Sequence, residues 1–178
     1  MRIEIRNAAV AILLVFPFAL AIAAQEHGEW IKYNSPAGRY DVSLPKQPQL
    51  STQDTTASSG EKLPQYMALS GTGKHWFMVG YFDYLANMTF SLDKARDGMI
   101  EGLHATLLKE DQISLGGLPG KQIKVVAKSE GEDFIDWARF YDIDRRVYVL
   151  QCIFPKAEDG APVMQDCDRF FDSFKVTK

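Results

Sequence analysis

Few residues in this sequence have the types and spacing that metal binding requires. Three histidines are present, His27, His75 and His104. Glu101 and His104 lie three positions apart on a predicted helix, and a Glu and a His at that spacing can share a metal ion. One such pair supplies only two ligands, and no second ligand motif accompanies it. A solvated helix edge explains the pair better, so we predict no metal ion and no cofactor.

Covalent catalysis also lacks its usual signals. A nucleophilic Ser, Cys or Thr needs a base that activates it, and the chain has no Gly-x-Ser-x-Gly motif. Glycine motifs that bind phosphates or dinucleotides are absent too. Four carboxylates, Glu130, Glu132, Asp133 and Asp136, are close in sequence, but they surround a predicted turn, where charges are normally solvated. We therefore predict no catalytic residue.

Aromatic side chains are the more informative group. The run from His75 to Tyr84 predicts a strand with large side chains on both faces, which can leave Trp76 or Tyr84 exposed at an end of the sheet. Packing in the core is the alternative for both. Trp137 and Arg139 lie two apart on one face of another predicted strand and could form a stacked cation–aromatic surface. These four residues are the predicted binding surface.

The N-terminal residues have the layout of a secretory signal. Arg2 and Arg6 carry positive charge, an uncharged apolar stretch follows, and Ala21-Ile22-Ala23 offers the small residues that signal peptidase accepts. A retained membrane anchor is the alternative, but the stretch is shorter than the ~20 residues that usually span a bilayer. We predict cleavage between Ala23 and Ala24. The predicted boundaries are a signal peptide over 1–23, a flexible tail over 24–29 and a single domain over 30–178.

Charge and composition limit the partners of the exported chain. The 178 residues carry 20 Lys and Arg against 23 Asp and Glu. This balance excludes a strongly basic nucleic-acid-binding protein and argues against anionic membranes as partners. Hydrophobic residues make up 46% of the chain, enough for a folded core. We expect a periplasmic or secreted protein with no nucleic acid partner and no membrane span after cleavage.

Hydrophobic periodicity predicts both strands and helices. Tyr40, Val42 and Leu44 alternate with polar residues, which is typical of a half-buried strand. Val147–Phe154 is apolar on both faces except at Gln151, so helices should cover both sides of its sheet. The helices are predicted from Leu92 through Thr106, capped by Ser91, and over Ala161–Phe174. The predicted fold is α+β, an antiparallel sheet of about six strands sandwiched between helices.

The two cysteines fit this arrangement as a disulfide. Cys152 lies late in the twice-buried strand, on the face of Tyr148 and Leu150. Cys167 shares the helix face of Phe170, which must pack on the sheet. Export places both thiols in an oxidising compartment, where an even cysteine count indicates a bridge. We predict a Cys152–Cys167 disulfide, and two buried free thiols are the alternative.

Several segments together resemble one family. They are Gly38-Arg39-Tyr40-Asp41-Val42-Ser43-Leu44-Pro45, Leu115-Gly116-Gly117-Leu118-Pro119-Gly120-Lys121, Arg146-Val147-Tyr148-Val149-Leu150 and Arg169-Phe170-Phe171-Asp172-Ser173-Phe174-Lys175. Their order resembles that in small exported bacterial domains of the PsbP-like and Mog-type fold, an α/β/α sandwich, over Trp30 to Lys178. The resemblance implies binding or assembly, because PsbP is an extrinsic subunit of photosystem II and Mog-type proteins bind a small GTPase. It transfers no functional residue to this chain.

These observations favour an exported, non-catalytic domain that binds a protein or an envelope component not identified by the sequence. The alternative is a small-molecule binder or hydrolytic enzyme with a pocket at one end of the sheet. A pocket with His75 or His104 beside a carboxylate would favour the alternative. Exposed aromatic side chains would favour the binding domain.

Overall fold

The computed structural model describes residues 29–56 and 60–177. The predicted signal peptide, its cleavage between Ala23 and Ala24 and nearly all of the predicted tail lie outside these described residues, so they stay predictions.

Strands dominate the described chain. In chain order the elements are β1 (Ile31–Ser35), β2 (Tyr40–Leu44), β3 (Gln49–Thr56), β4 (Lys62–Thr72), β5 (His75–Asp83), α1 (Leu92–Gly102), β6 (Thr106–Leu115), β7 (Leu118–Ser129), β8 (Glu132–Ile143), β9 (Arg146–Pro155), α2 (Ala161–Ser173) and β10 (Lys175–Val176). A short 3-10 helix, Lys156–Glu158, links β9 to α2.

The strands pair antiparallel in two sheets. Seven lie in the order β3-β4-β5-β9-β8-β7-β6, and a small sheet has the order β1-β2-β10. The predicted α+β class with an antiparallel sheet and two principal helices is confirmed. The main sheet has seven strands where about six were predicted, and the N-terminal strands β1 and β2 lie in the small sheet instead. Within the described residues, β2 pairs with β1 on one side and with β10, the strand that follows α2, on the other.

The first helix is shorter than its apolar spacing predicts. Thr106 has the spacing to extend the buried stripe, yet α1 ends at Gly102 and Thr106 begins β6. His104 takes a positive φ of 48°, which a continuing right-handed helix does not allow. Ser91 caps the helix as predicted, since its side chain accepts a hydrogen bond from the Lys94 backbone N–H.

The main sheet is covered on both faces, as the apolar β9 predicts. One face packs against α2 and the small sheet. Its central residues are Phe77, Val79, Tyr148, Leu150, Phe170 and Tyr40, all buried. The other face packs against α1 in a smaller cluster around Met99, Phe140 and Val149.

An ionic cluster fixes α1 to the sheet. Lys121 of β7 is almost fully buried, and its Nζ contacts the carboxylates of Asp93, at 2.7 Å, and Glu110. Arg96 of α1 donates two hydrogen bonds to Glu110, at 2.9 and 2.8 Å. Lys121 is the first cause that holds the pKa of Glu110 and of Asp93 below their usual values. The paired charges therefore tie α1 to β6 and β7.

The predicted disulfide is present in the structure. Cys152 and Cys167 are bonded, with Cα atoms 5.7 Å apart. Both cysteines are fully buried in the face that α2 covers, which is the face expected from Tyr148 and Leu150. The bridge connects β9 directly to α2.

Candidate functional site

The four residues of the predicted binding surface do not come together. Trp76 lies at the start of β5 and Tyr84 just beyond its end. Trp76 pairs with Ile153, whereas Trp137 pairs with Cys152, so the two tryptophans lie on opposite faces of the sheet. The structure therefore distributes these side chains over three separate places.

Trp137 is unavailable to a partner, which corrects the prediction for it. Its side chain is buried, with a residual exposure of 8%, and packs edge-on against Phe171 of α2. Arg139 does form a cation–aromatic stack, but on Phe171, with its guanidinium carbon 4.4 Å from the ring centroid. Its Nε also donates to Gln122. This pair helps α2 to pack on the sheet.

Trp76 and Tyr84 are half-buried and held by neighbours. The Trp76 ring covers Gly71, where a Cβ atom would lie 2.5 Å from the ring. Tyr84 stacks on Phe90, and its hydroxyl donates to both carboxylate oxygens of Asp142 at 3.1 Å. Burial, followed by the charge of Asp142, raises the pKa of Tyr84 to about 12. Much of each side chain therefore packs against the domain, which is the alternative that the sequence left open for Trp76 and Tyr84.

A more exposed aromatic group lies beside the small sheet. Tyr66 of β4 is 40% exposed and stacks on Tyr81 of β5, with ring centroids 5.0 Å apart and planes at 20°. Leu50 of β3 is 68% exposed. It pairs with Ala68, so it is the diagonal neighbour of Tyr66 on the same face. We call the two exposed residues, Leu50 and Tyr66, the Tyr66 surface; Tyr81 and Arg146 are buried and lie behind it.

Arg146 supports this surface through Tyr81. Its guanidinium lies over the Tyr81 ring, 4.7 Å from the centroid. Asp83 accepts from its Nε and Nη2 at 2.6 and 2.7 Å, and the carbonyl of Ala37 accepts from Nη1 at 2.8 Å. The hydrogen bonds from Arg146 hold the pKa of Asp83 below its usual value. The ion pair thus fixes Tyr81, and Tyr81 supports Tyr66.

Local structure explains how Arg146 reaches this position. Asp144 and Arg145 form the β8–β9 turn, and both have positive φ, at 52° and 63°. A two-residue turn of this kind matches the twist of a hairpin and brings the next residue straight into the ladder. Arg146 therefore begins β9 opposite Asp83.

Sequence reasoning missed the Tyr66 surface. Tyr66 and Tyr81 are 15 positions apart, and Arg146 and Asp83 are 63 apart. Their contacts depend on the register of β4, β5 and β9. Local sequence carried no signal for it, because in β4 the polar Gln65 is buried whereas the aromatic Tyr66 is exposed.

The expectation that Asp136 is solvated is wrong. The residue lies well inside β8 and is fully enclosed in the face covered by α1, where burial raises its pKa to about 7. Gln151 of β9 donates to Asp136 Oδ2 at 2.6 Å. Glu130 and Glu132 are exposed, as expected around the turn.

His75 is the one predicted histidine candidate that contacts a carboxylate in the described residues. Its Nε2 lies 2.6 Å from Oε2 of Glu158, in the short helix after β9. His75 is mostly buried and Glu158 is exposed. Among residues 29–56 and 60–177, no group of three or more His, Cys, Asp and Glu is placed to hold a metal ion. His104 and Glu101 are both exposed.

None of the described helices is long and apolar enough to cross a membrane.

Comparison with known proteins identifies the fold. No family model matches the sequence, and no curated protein matches it. The solution structure of a cyanobacterial PsbP, CyanoP from Synechocystis sp. PCC 6803, superposes with a TM-score of 0.60 and 10% identity, covering 89% of this chain and 98% of CyanoP. A protein of unknown function from Pseudomonas aeruginosa matches more weakly, with a TM-score of 0.42 and 15% identity over 74% of this chain and 86% of its own. The predicted resemblance is confirmed at the level of structure, and the chain has a PsbP-like fold.

Proposed function

We propose that this protein is an exported, non-catalytic domain that binds a protein partner of the cell envelope through the Tyr66 surface. The observation that supports this most directly is the exposed Tyr66 ring, stacked on Tyr81 and supported by the Arg146–Asp83 ion pair. Tyr is enriched among the residues that dominate binding energy at protein interfaces. The PsbP-like fold is compatible with such a role.

Preorganisation makes this surface suited to binding. A side chain that is already fixed loses little conformational entropy on binding, whereas a mobile one loses about 0.5–1.5 kcal/mol. Tyr66 is held by a stacked neighbour, and that neighbour is held by a bidentate ion pair. Leu50 of β3 adds an exposed apolar side chain, and its neighbours on β4, Ala68 and Tyr66, carry no charge. A partner with an apolar or aromatic side chain would bury both residues.

The test compares two exposed leucines at opposite edges of the main sheet. Leu50 lies on the Tyr66 surface, and Leu118, 42% exposed, begins β7 next to the other edge strand. Wild type, Leu50→Asp and Leu118→Asp are immobilised as disulfide-bonded proteins and incubated with envelope extract from the native cells. Quantitative mass spectrometry should find a protein enriched on wild type and Leu118→Asp and reduced at least tenfold on Leu50→Asp. Equal recovery on all three proteins would contradict the proposal.

Export is part of the proposal, and the disulfide supports it. Structural disulfides form and persist in oxidising compartments such as the periplasm. The bridge from Cys152 to Cys167 lies in the core, so it has a structural role. The N-terminal signal predicted over 1–23 provides the route of export.

The His75–Glu158 contact favours the alternative function, a hydrolytic enzyme or small-molecule binder. A carboxylate that orients a histidine is one part of an acid–base centre. Thr72, which carries a hydroxyl, pairs with His75 in the β4–β5 hairpin. This candidate predicts an ester- or amide-hydrolysing activity that His75→Ala abolishes, while Leu50→Asp leaves it unchanged. A screen with chromogenic ester and amide substrates would test it.

A further inference from the structure

The two edges of the main sheet are built differently. In the described residues, β6 pairs on one side with β7, and β3 pairs on one side with β4. An unpaired strand edge presents a row of N–H and C=O groups on which another strand can form. Proteins that must avoid such pairing place bulges and charges along the edge. The two edges can be compared on this basis.

The β6 edge is protected. Its ladder with β7 is interrupted by a register shift between Leu107 and Lys109. Lys109, Glu110 and Asp111 then bring three consecutive charges. Glu110 is also bonded to Arg96 of α1. A bulge, charges and a helix contact all oppose the addition of a strand here.

The β3 edge has neither a bulge nor a run of charges. Its eight residues, Gln49–Thr56, pair one by one with Leu69 back to Lys62. Its side chains are Gln, Leu, Ser, Thr and a single charged residue, Asp54, which has an ion pair with Lys62. Threonine favours strands, and the polar composition keeps the edge soluble while unpaired.

We propose that β3 pairs with β3 of a second copy of this chain, antiparallel about a two-fold axis, to join two main sheets into one. Two-fold symmetry is the commonest arrangement of homo-oligomers, and it brings the same strand to both sides of the interface. An axis perpendicular to the sheet preserves its faces, so residues of one face must meet residues of the same face. The registers with the longest overlap place Thr52 opposite Thr52, or Gln53 opposite Gln53.

Charge favours this partner. In either register Asp54 lies opposite Leu50 or Thr52 of the second copy, so the one charge on the edge never meets its own counterpart. Like charges directly opposite each other would destabilise the pair, whereas facing threonines stabilise it. Thr52 also pairs with Tyr66, which pairs with Tyr81. The dimer would therefore align the Tyr66 surfaces of the two copies in one row.

This inference goes beyond the proposed function and needs no envelope partner, so the purified chain tests it separately. The test measures mass by light scattering and dissociation by analytical ultracentrifugation on the disulfide-bonded mature chain, from low- to high-micromolar concentration. Wild type should reach the mass of a dimer. Thr52→Lys in the first register, or Gln53→Lys in the second, places like charges at the axis, so one of these two variants should raise the dimer dissociation constant at least about tenfold. Ser114→Lys, an exposed position on β6, is the matched control and should dimerise as wild type does.

Two cysteine variants test the register. Thr52→Cys or Gln53→Cys should form a covalent dimer on mild oxidation, and Ser114→Cys should remain monomeric. A wild type that stays monomeric at every concentration would overturn the proposal and leave the edge to a strand of another protein. Dimerisation that neither Thr52→Lys nor Gln53→Lys weakens, or that neither β3 cysteine variant traps, would overturn it as well. Unchanged near-UV circular dichroism would show that each variant is folded.

Discussion

Asp136 is enclosed in the main sheet with a single hydrogen-bond partner, the amide of Gln151. Removing a carboxylate from water disfavours its charged form, and this burial raises the pKa of Asp136 from 3.8 to about 7. In the unfolded chain the same group loses its proton near pH 4. Between about pH 4 and pH 7, Asp136 therefore keeps its proton in the folded protein and has lost it in the unfolded chain.

The sign of the pH dependence follows. The stabilisation that the proton of Asp136 provides is complete below pH 4 and is lost as the pH rises to about 7. A shift of this size corresponds to roughly 4 kcal/mol. Asn cannot ionise, so we predict that Asp136→Asn removes most of this fall in the free energy of unfolding. The variant should therefore be more stable than wild type at pH 8. Urea unfolding at pH 4, 6 and 8 measures it, with Asp54→Asn as the control at an exposed carboxylate. An Asp136→Asn variant whose unfolding free energy changes between pH 4 and pH 8 in the same way as that of wild type would contradict the prediction.

Lys121 shows the opposite case, a buried charge with its partners present. We predict that Lys121→Met lowers the free energy of unfolding by about 2 kcal/mol, because Glu110 and Asp93 lose the cation between them. Lys109→Met, at an exposed residue of the neighbouring strand, should change it by less than about 0.5 kcal/mol. Denaturant unfolding at neutral pH compares the two variants. Equal losses would show that the buried cluster has no special role.

Individual side chains were the least predictable level. The sequence places Asp136 among clustered carboxylates, which led to the wrong expectation that it is solvated; β8 begins at Glu132, so Asp136 is already inside the sheet. Trp137 follows it and is buried by Phe171, a contact that depends on the position of α2. The exposure of a strand side chain depends on which element packs on its face of the sheet, and the local sequence does not determine that packing.

Elements were predicted more reliably because their signals are local. The alternation in β2 and the continuous apolar run in β9 identify both strands, and the apolar face of α2 identifies the helix. The disulfide followed from placing Cys152 and Cys167 on facing sides of two such elements. The separation of β1 and β2 into a small sheet was not predictable, because strand pairing joins β2 to a strand at the other end of the domain.

Removing the disulfide that joins β9 to α2 should lower the free energy of unfolding. The disulfide joins residues 15 apart, and closing a loop of that length restricts the unfolded chain by about 3 kcal/mol in the chain-entropy model. We predict a loss of about this size in Cys152→Ala/Cys167→Ala, measured by denaturant unfolding. The denatured, unreduced wild type should show no titratable thiol. Two titratable thiols would establish that the bridge is absent.

For the molecule as a whole, binding of an envelope partner requires that the protein is exported. We predict that the mature protein begins at Ala24, because Ala21 and Ala23 fit the small-residue positions that signal peptidase reads. N-terminal sequencing of protein from native cells measures this. A chain with intact Met1 in the membrane fraction would favour the retained anchor instead.

Contact with a partner through the Tyr66 surface is the central claim, and photo-crosslinking in native cells tests it most directly. A photoreactive phenylalanine replaces Tyr66 in one variant and Leu118 in another; both side chains are exposed, at opposite edges of the main sheet. We expect light to attach the residue-66 variant to one envelope protein, and the added Leu50→Asp substitution to remove this product. A crosslink of equal yield from residue 118, or none from residue 66 in correctly exported protein, would contradict it.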